Sequence, residues 1–330
     1  MQQFNGFEEI VAKTDSTETN VTDNNLYAIL TYFNFGKSKR RTQLFLEFLD
    51  RYKNQKSLRI VVVEATVDEF LLPTRIEQEI FLHLKFKYDW PYWCKENLIN
   101  IAVAMLTVYK AKHWQYVSWI DPEITFLNEN WVQDTLEALR ISHVVQLFET
   151  ENRLGPHGEL LEAKSSFGHI HSLNKYVYPA YYEDSSIGIA LGINRWLLEK
   201  AKGLCEYTII GDGDHIFMLS LINKADYFLK RISNIKISLN FNEAILTKQK
   251  IYAKYDTKLG YVKGTILSHW HGRREDRNYM ERWYLLDEYN PKVDLYQNSE
   301  FILNISDYGK INKTNIALYF KERNEDNMKV

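Results

Sequence analysis

Two acids one residue apart close an apolar run in Val117-Ser-Trp-Ile-Asp-Pro-Glu-Ile-Thr-Phe126. In an extended chain, residues i and i+2 point to the same side. Asp121 and Glu123 can therefore reach one divalent cation beyond the strand end. Hard oxygen ligands suit Mg²⁺ or Mn²⁺, and such an ion commonly holds a diphosphate. The competing reading is a strand followed by a turn, with Asp121 as its cap and Pro122 fixing φ. Two other patterns bring together residues that can do chemistry: Gly211-Asp-Gly-Asp214, and His269-Trp-His-Gly272 followed by Arg273, Arg274 and Arg277. His269 and His271 alternate along an extended segment and share a face. Their plain readings are a helix capped by Asp212 or Asp214 and hydrogen-bonded core histidines.

These residues need a frame. Leu26–Phe33 reads as a buried first strand, and Ser57–Glu64 as a second whose unbroken apolar run suits a parallel sheet covered on both faces. Between them Leu44, Phe45, Phe48 and Leu49 recur at helical spacing over about Arg41–Lys53. A short strand over Ile80–Lys85, a helix over Cys94–Val108, a strand over Tyr116–Ile120, a helix over Trp131–Leu139 and a strand over His143–Phe148 follow. The order β-α-β-β-α-β-α-β indicates an α/β fold, a doubly wound, mostly parallel central sheet flanked by helices. Ligands of such folds lie beyond the carboxyl ends of the strands. Asn34, Glu64 and Asp121 stand at three such ends and are expected to converge on one crevice.

Downstream, Glu151–Lys175 reads as a long polar loop, Ser185–Gly192 as one strand, Asn194–Lys202 and His215–Asn223 as helices, 225–260 as helical and Lys-rich, and Gly264–Gly272 as extended. A helix is expected from Glu281. The organisation expected is a flexible leader over 1–25, halves at 26–150 and 151–310 of one domain, and a polar tail over 311–330.

Composition narrows the classes. At 45% hydrophobic over 330 residues the chain can bury a sizeable core. A formal net charge of −2 gives no global basic field for nucleic acid, although Lys37–Arg41 and the lysines of 225–253 are locally basic. Cys94 and Cys205 make no disulfide framework, and a reducing cytoplasm is the expected setting. No apolar run reaches the roughly 18–20 residues that span a bilayer.

The ordered set of Asn34 with Arg41, Val63-Glu64, Trp93-Cys-Lys-Glu-Asn97, Trp119-Ile-Asp-Pro-Glu123, Gly211-Asp-Gly-Asp214 and His269-Trp-His-Gly272 with Arg277, Tyr279 and Arg282 resembles the GT-A class of nucleotide-sugar glycosyltransferases over about residues 26–300. The acidic pair looks like the class's Asp-x-Asp metal motif, here Asp-x-Glu. The resemblance implies a GT-A-like sheet with a donor-binding first half and an acceptor-side second half. It implies Mn²⁺ (or Mg²⁺) held by Asp121 and Glu123, with His271 or His269 completing the coordination and Gly272 letting the diphosphate approach. It implies a nucleoside-diphosphate sugar, a UDP-sugar, contacted by Asn34, Arg41, Glu64, Lys95, Asn97 and Arg277. Asp214, ahead of Asp212, is the implied base for an inverting transfer to an acceptor hydroxyl. A glycan and a hydroxymethylated base of viral DNA are the two acceptors considered. A non-catalytic nucleotide- or glycan-binding module and a nucleotidyltransferase are the alternatives on the same fold.

Overall fold

The computed structural model describes residues 23–173 and 185–329, so the expected leader lies almost wholly outside the described residues. The chain opens with β1 (Asp23–Phe33), α1 (Lys39–Tyr52), β2 (Leu58–Thr66), β3 (Leu82–Lys87), α2 (Lys95–Met105), β4 (Trp114–Ile120), β5 (Ile124–Phe126), α3 (Trp131–Ile141) and β6 (Val144–Gln146). It continues through β7 (Thr150–Leu154), β8 (Leu160–Ser166), α4 (Phe167–Ser172), β9 (Ser185–Ser186), β10 (Ala190–Asn194), α5 (Arg195–Lys200), α6 (Gly213–Leu221), α7 (Ala225–Arg231) and α8 (Leu239–Lys254). It closes with β11 (Leu259–Tyr261), β12 (Thr265–Ser268), α9 (Pro291–Asp294), β13 (Leu295–Gln297), β14 (Leu303–Ile305) and α10 (Lys313–Glu322).

Seven strands form the central sheet in the order β11-β6-β10-β4-β1-β2-β3. β1 pairs in parallel with both β2 and β4, β2 with β3, and β6 with β11. β10 alone runs antiparallel, to β4 and to β6. The alternation of side chains along β1 and β2 builds two cores. Ile29, Val61 and Val63 pack with α2 and α6 through Leu98, Ala102 and Ile216. Leu30, Ile60 and Val62 face α1 and α3 through Phe45, Phe48 and Leu136. The α1 stripe forms where its spacing predicted, and Ser38 starts it by accepting from the Arg41 N–H at 3.1 Å.

Several expectations need correction. Over 151–173 the expected loop Glu151–Lys175 is replaced by regular structure: β7 and β8 make an antiparallel hairpin in a second, five-stranded sheet, followed by α4, and residues 174–175 lie outside the described residues. The expected strand over 185–192 is broken, because Gly188 (φ 81°) and Ile189 (φ 67°) turn the chain from β9 in the second sheet to β10 in the central one. The α2 helix is α-helical only to Met105 and continues as a wider π turn over Leu106–Lys110. Glu281–Leu286 winds as a 3₁₀ helix. Of the polar tail expected over 311–330, the described residues 311–329 pack on the fold: α10 buries Ile316, Tyr319 and Phe320, and the residues after it dock on α1. Among the described residues no helix is long and apolar enough to cross a membrane.

Candidate active site

A cavity of about 830 Å³ opens beyond the carboxyl ends of β1 and β4, where the parallel strands diverge on either side of β1. Such a switch point is where open α/β sheets hold ligands. Its wall includes Arg41, Lys95, Asp121, Glu123, Asp212, Asp214, His269, His271 and Arg277. The structure thus brings together nine of the twelve side chains given a metal, donor or base role in the sequence.

β4 ends at Ile120, and β5 begins at Ile124 in the other sheet. Asp121-Pro-Glu123 is the crossing between sheets, and its two acids meet different cations. Asp121 accepts from Lys95 Nζ at 2.8 Å, and its side chain is 41% exposed. Glu123 is buried and accepts from Arg41 Nε at 3.0 Å. Burial would raise the Glu123 carboxyl, but Arg41 and then His271 outweigh it and hold it below the usual carboxylate range.

Lys95, in the first turn of α2, is almost fully buried and also reaches Asp214 Oδ2 at 3.2 Å. Asp214 sits in the first turn of α6, and its Oδ1 accepts from the Trp119 indole at 3.3 Å. A Cβ at Gly188 would lie 2.4 Å from Asp214 Oδ2, so the backbone approaches this carboxylate as only glycine allows. Behind it, burial and then Asp214 push the Glu96 carboxyl up to about 8.

Asp212 differs from Asp214. Its side chain is buried, and its backbone lies in the left-handed region at φ 69°. Its Oδ1 faces His215 Nδ1 at 3.0 Å and Arg282 Nη2 at 2.9 Å, and its Oδ2 accepts from the Trp283 indole at 2.6 Å. Burial opposes its ionisation, but Arg282 and then His215 hold its carboxyl far below the usual range. The expectation that Asp212 could serve as a base is corrected: its oxygens are committed to fixed donors.

Also in the cavity wall, His271 Nδ1 faces the His269 carbonyl at 2.9 Å, and its Nε2 meets Arg277 Nη2 at 2.8 Å. A carbonyl only accepts and a guanidinium only donates, so Nδ1 carries the proton and Nε2 presents its lone pair. Burial, then Arg277, lowers the His271 ring to about 4, so it is neutral at pH 7. His269 instead bonds Thr125 Oγ1 at 2.8 Å. Beside them burial would raise the Tyr279 phenol, but Arg277, then Arg282 and Arg323, bring it down to about 8.

Among the described residues no group of three or more His, Cys, Asp or Glu is placed to hold a metal ion. Each member of the expected quartet has another partner: Asp121 has Lys95, Glu123 has Arg41, His269 has Thr125 and His271 Nε2 has Arg277. Glu123 and His271 do have the donor chemistry. One is a carboxylate, and the other is a neutral imidazole whose Nδ1–H is fixed by a carbonyl, the arrangement of a metal-ligating histidine. Their donor atoms face Arg277 Nη2 and Arg41 Nε, so a divalent cation held here would have to displace both guanidiniums.

Asn34, Glu64 and Asn97 do not line the cavity, which corrects their expected donor contacts. Asn34 Oδ1 accepts from the Ser38 N–H at 2.9 Å and its amide donates to the Ser38 carbonyl at 2.7 Å, clamping the turn before α1. Glu64 Oε1 accepts from the Leu71 and Leu72 N–H groups at 2.7 and 3.0 Å. Asn97 ties α2 to the strand β14 through the Leu303 N–H and the Phe301 carbonyl. Each polar group is used, but as a partner for backbone groups, near in sequence for Asn34 and Glu64 and distant for Asn97. Gly272 is also reassigned. It lines the cavity, and at φ 88° its missing Cβ leaves room for Asn324 O and Glu325 Cα, both at 2.9 Å.

The sequence reading missed the C-terminal contributors. Asp326 accepts from Ser38 Oγ and from the Lys39 and Arg40 N–H groups at 2.6, 3.0 and 2.9 Å. Glu325 pairs with Arg41 and Arg323, at 3.4 and 2.8 Å. No local pattern marks such long-range partners. His215 was legible only as the residue after Asp214.

No family model and no curated protein matches the chain. Among solved structures, it is similar to residues 1–349 of S. aureus TarS, at 12% identity over 70% of each chain with a TM-score of 0.37. A Drosophila β-1,4-galactosyltransferase 7 variant in complex with manganese, UDP-Gal and xylobiose matches at 14% identity over 89% of this chain and 98% of that one, with a TM-score of 0.38. The 4-diphosphocytidyl-2C-methyl-D-erythritol synthase of Anaerococcus prevotii matches at 13% identity over 73% and 90%, with a TM-score of 0.33.

Proposed function

We propose that the chain is a glycosyltransferase that moves a sugar from a nucleoside-diphosphate donor, UDP-linked, to an acceptor hydroxyl with inversion. The observation that carries this reading is the pairing of strand-end acids with fixed cations around one cavity, Lys95 with Asp121 and Arg41 with Glu123. Cations buried among acids at a switch point suit a ligand that is itself an anion and is built on a sugar. Arg277 and Lys95 meet the diphosphate and neutralise the charge that grows as it leaves. Glu123 and His271 would hold a divalent cation, Mn²⁺ ahead of Mg²⁺ because imidazole prefers it, and a bound cation would add charge neutralisation at that diphosphate.

The hairpin β7–β8 forms the facing wall, where Arg153 is held by Glu151 at 2.9 and 3.2 Å and by Glu162 at 2.8 Å. We assign this side to the acceptor, a glycan hydroxyl or a hydroxymethylated base. With Cys94 and Cys205 both free, we place the enzyme in a reducing cytoplasm.

The test is a panel of UDP-, GDP- and CDP-sugars with and without Mn²⁺, read by thermal shift and by release of the nucleoside diphosphate. Stabilisation and diphosphate release by one donor class supports the reading. Stabilisation with no release, with glycan and hydroxymethylated DNA acceptors supplied, makes the chain a binding module. Release of pyrophosphate from a nucleoside triphosphate makes it a nucleotidyltransferase.

A further inference from the structure

An inverting transfer needs a proton acceptor on the acceptor side, and two side chains in the first turn of α6 stand in the cavity wall, Asp214 and His215. We propose that His215, oriented by Asp212, takes the proton of the acceptor hydroxyl. This assignment rests on the transferase reading above and names the catalytic base of that same site.

Asp214 is poorly suited to the task. Its Oδ2 accepts from the Lys95 ammonium at 3.2 Å and its Oδ1 from the Trp119 indole at 3.3 Å. A proton arriving there would face a buried cation already using the same carboxylate. His215 is held the other way round. Its Nδ1 lies 3.0 Å from Asp212 Oδ1, and an ionised carboxylate only accepts. Nδ1 therefore carries the ring proton, and Nε2 is the basic nitrogen. A buried carboxylate that fixes the tautomer and offsets the imidazolium charge is the device that makes histidine an effective base.

The orienting acid is itself over-determined. Arg282 and Trp283 fix the Asp212 carboxylate, and its backbone stays at φ 69°, a region costly for a non-glycine residue. Strain of this kind persists where surrounding contacts enforce it. Here the enforced product is the position of one imidazole beside the cavity.

The step balances. The acceptor oxygen bonds the anomeric carbon as the bond from that carbon to the diphosphate breaks. The diphosphate departs with the electron pair, and the hydroxyl proton passes to His215 Nε2 and then to solvent.

The experiment uses the full chain and the sugar nucleotide that wild type hydrolyses or transfers in the panel above. His215→Gln is expected to bind UDP as wild type does in calorimetry and to lose about 10²- to 10⁴-fold in turnover. His215→Ala is expected to regain part of that loss in added imidazole, a rescue that a structural role would not give. Wild-type turnover in His215→Gln overturns the assignment. So does loss of UDP binding in step with turnover, which makes the pair a structural brace. Asp214→Asn as the deeper loss, with His215→Gln near wild type, moves the base to Asp214. A wild type that binds UDP-sugars and turns over none removes the transferase reading, and this assignment with it.

Discussion

Lys95 and Asp121 meet across 2.8 Å, joining the first turn of α2 to the end of β4. One ammonium also holds Asp214, so the end of β4 and the start of α6 share a single buried charge. Lys95→Met keeps the length and removes the charge. UDP affinity is expected to fall at least about tenfold, since two acids then face the diphosphate unneutralised. Breaking a buried pair costs about 3–5 kcal/mol; here water reaches Asp121, and the loss in a denaturant melt should fall below that range. Undiminished UDP affinity in calorimetry would separate Lys95 from the donor.

Glu123 and His271 are the pair with metal-donor chemistry. EDTA is expected to weaken UDP binding in wild type, and Mn²⁺ to restore it. Glu123→Gln and His271→Ala should each lose that Mn²⁺-dependent increment, and Glu123→Gln should also lower the thermal transition, because it leaves the buried Arg41 with Glu325 alone. The same increment in both variants would move the cation elsewhere or remove it.

Tyr279 is predicted to ionise near pH 8, because Arg277, Arg282 and Arg323 favour its phenolate. Its folded value lies below the unfolded value of about 10. The phenol therefore contributes stability that is fully present above pH about 10 and is lost as the pH falls through 8. A phenolate absorbance titration should show one early step in wild type that Tyr279→Phe lacks. A first step no earlier than about 10 in wild type refutes the cation cluster as drawn.

The C-terminal segment is expected to be structural at α1. Asp326 accepts from the first free N–H groups of that helix, and Asp326→Ala should cost about 1 kcal/mol in a denaturant melt. Gly272→Ala should cost more than about 1 kcal/mol, since a Cβ meets Asn324 and Glu325 and φ is 88°. A neutral Gly272→Ala would mean that the segment after α10 does not dock in solution.

Much of the frame was legible because it is local. The apolar runs of β1 and β2, and the α1 stripe of Leu44, Phe45, Phe48 and Leu49, carry the periods of strand and helix in adjacent residues. The strand-end position of Asp121 and the helix-start positions of Lys95 and Asp214 follow from the same patterns. The hairpin β7–β8 was not legible, since Thr150–Leu154 and Leu160–Ser166 are polar and only half-buried, paired by a second sheet that distant β12 completes.

The sequence by itself determined which residue types stand at the strand ends and helix starts, and hence that carboxylates, imidazoles and cations could gather beyond one sheet. Only the tertiary structure decided their partners. Asn34, Glu64 and Asn97 carry the polar groups a ligand would want, yet each is spent on backbone groups of its own loop or of residues about two hundred positions away. Asp212 and Asp214 are two residues apart and read alike in sequence. Arg282 and Trp283 lock the first, while Lys95 from α2 and Trp119 from β4 hold the second at the cavity. The physical reason is that period and propensity act over a few residues, whereas the free energy of a charge depends on the neighbours that burial brings to it from anywhere in the chain.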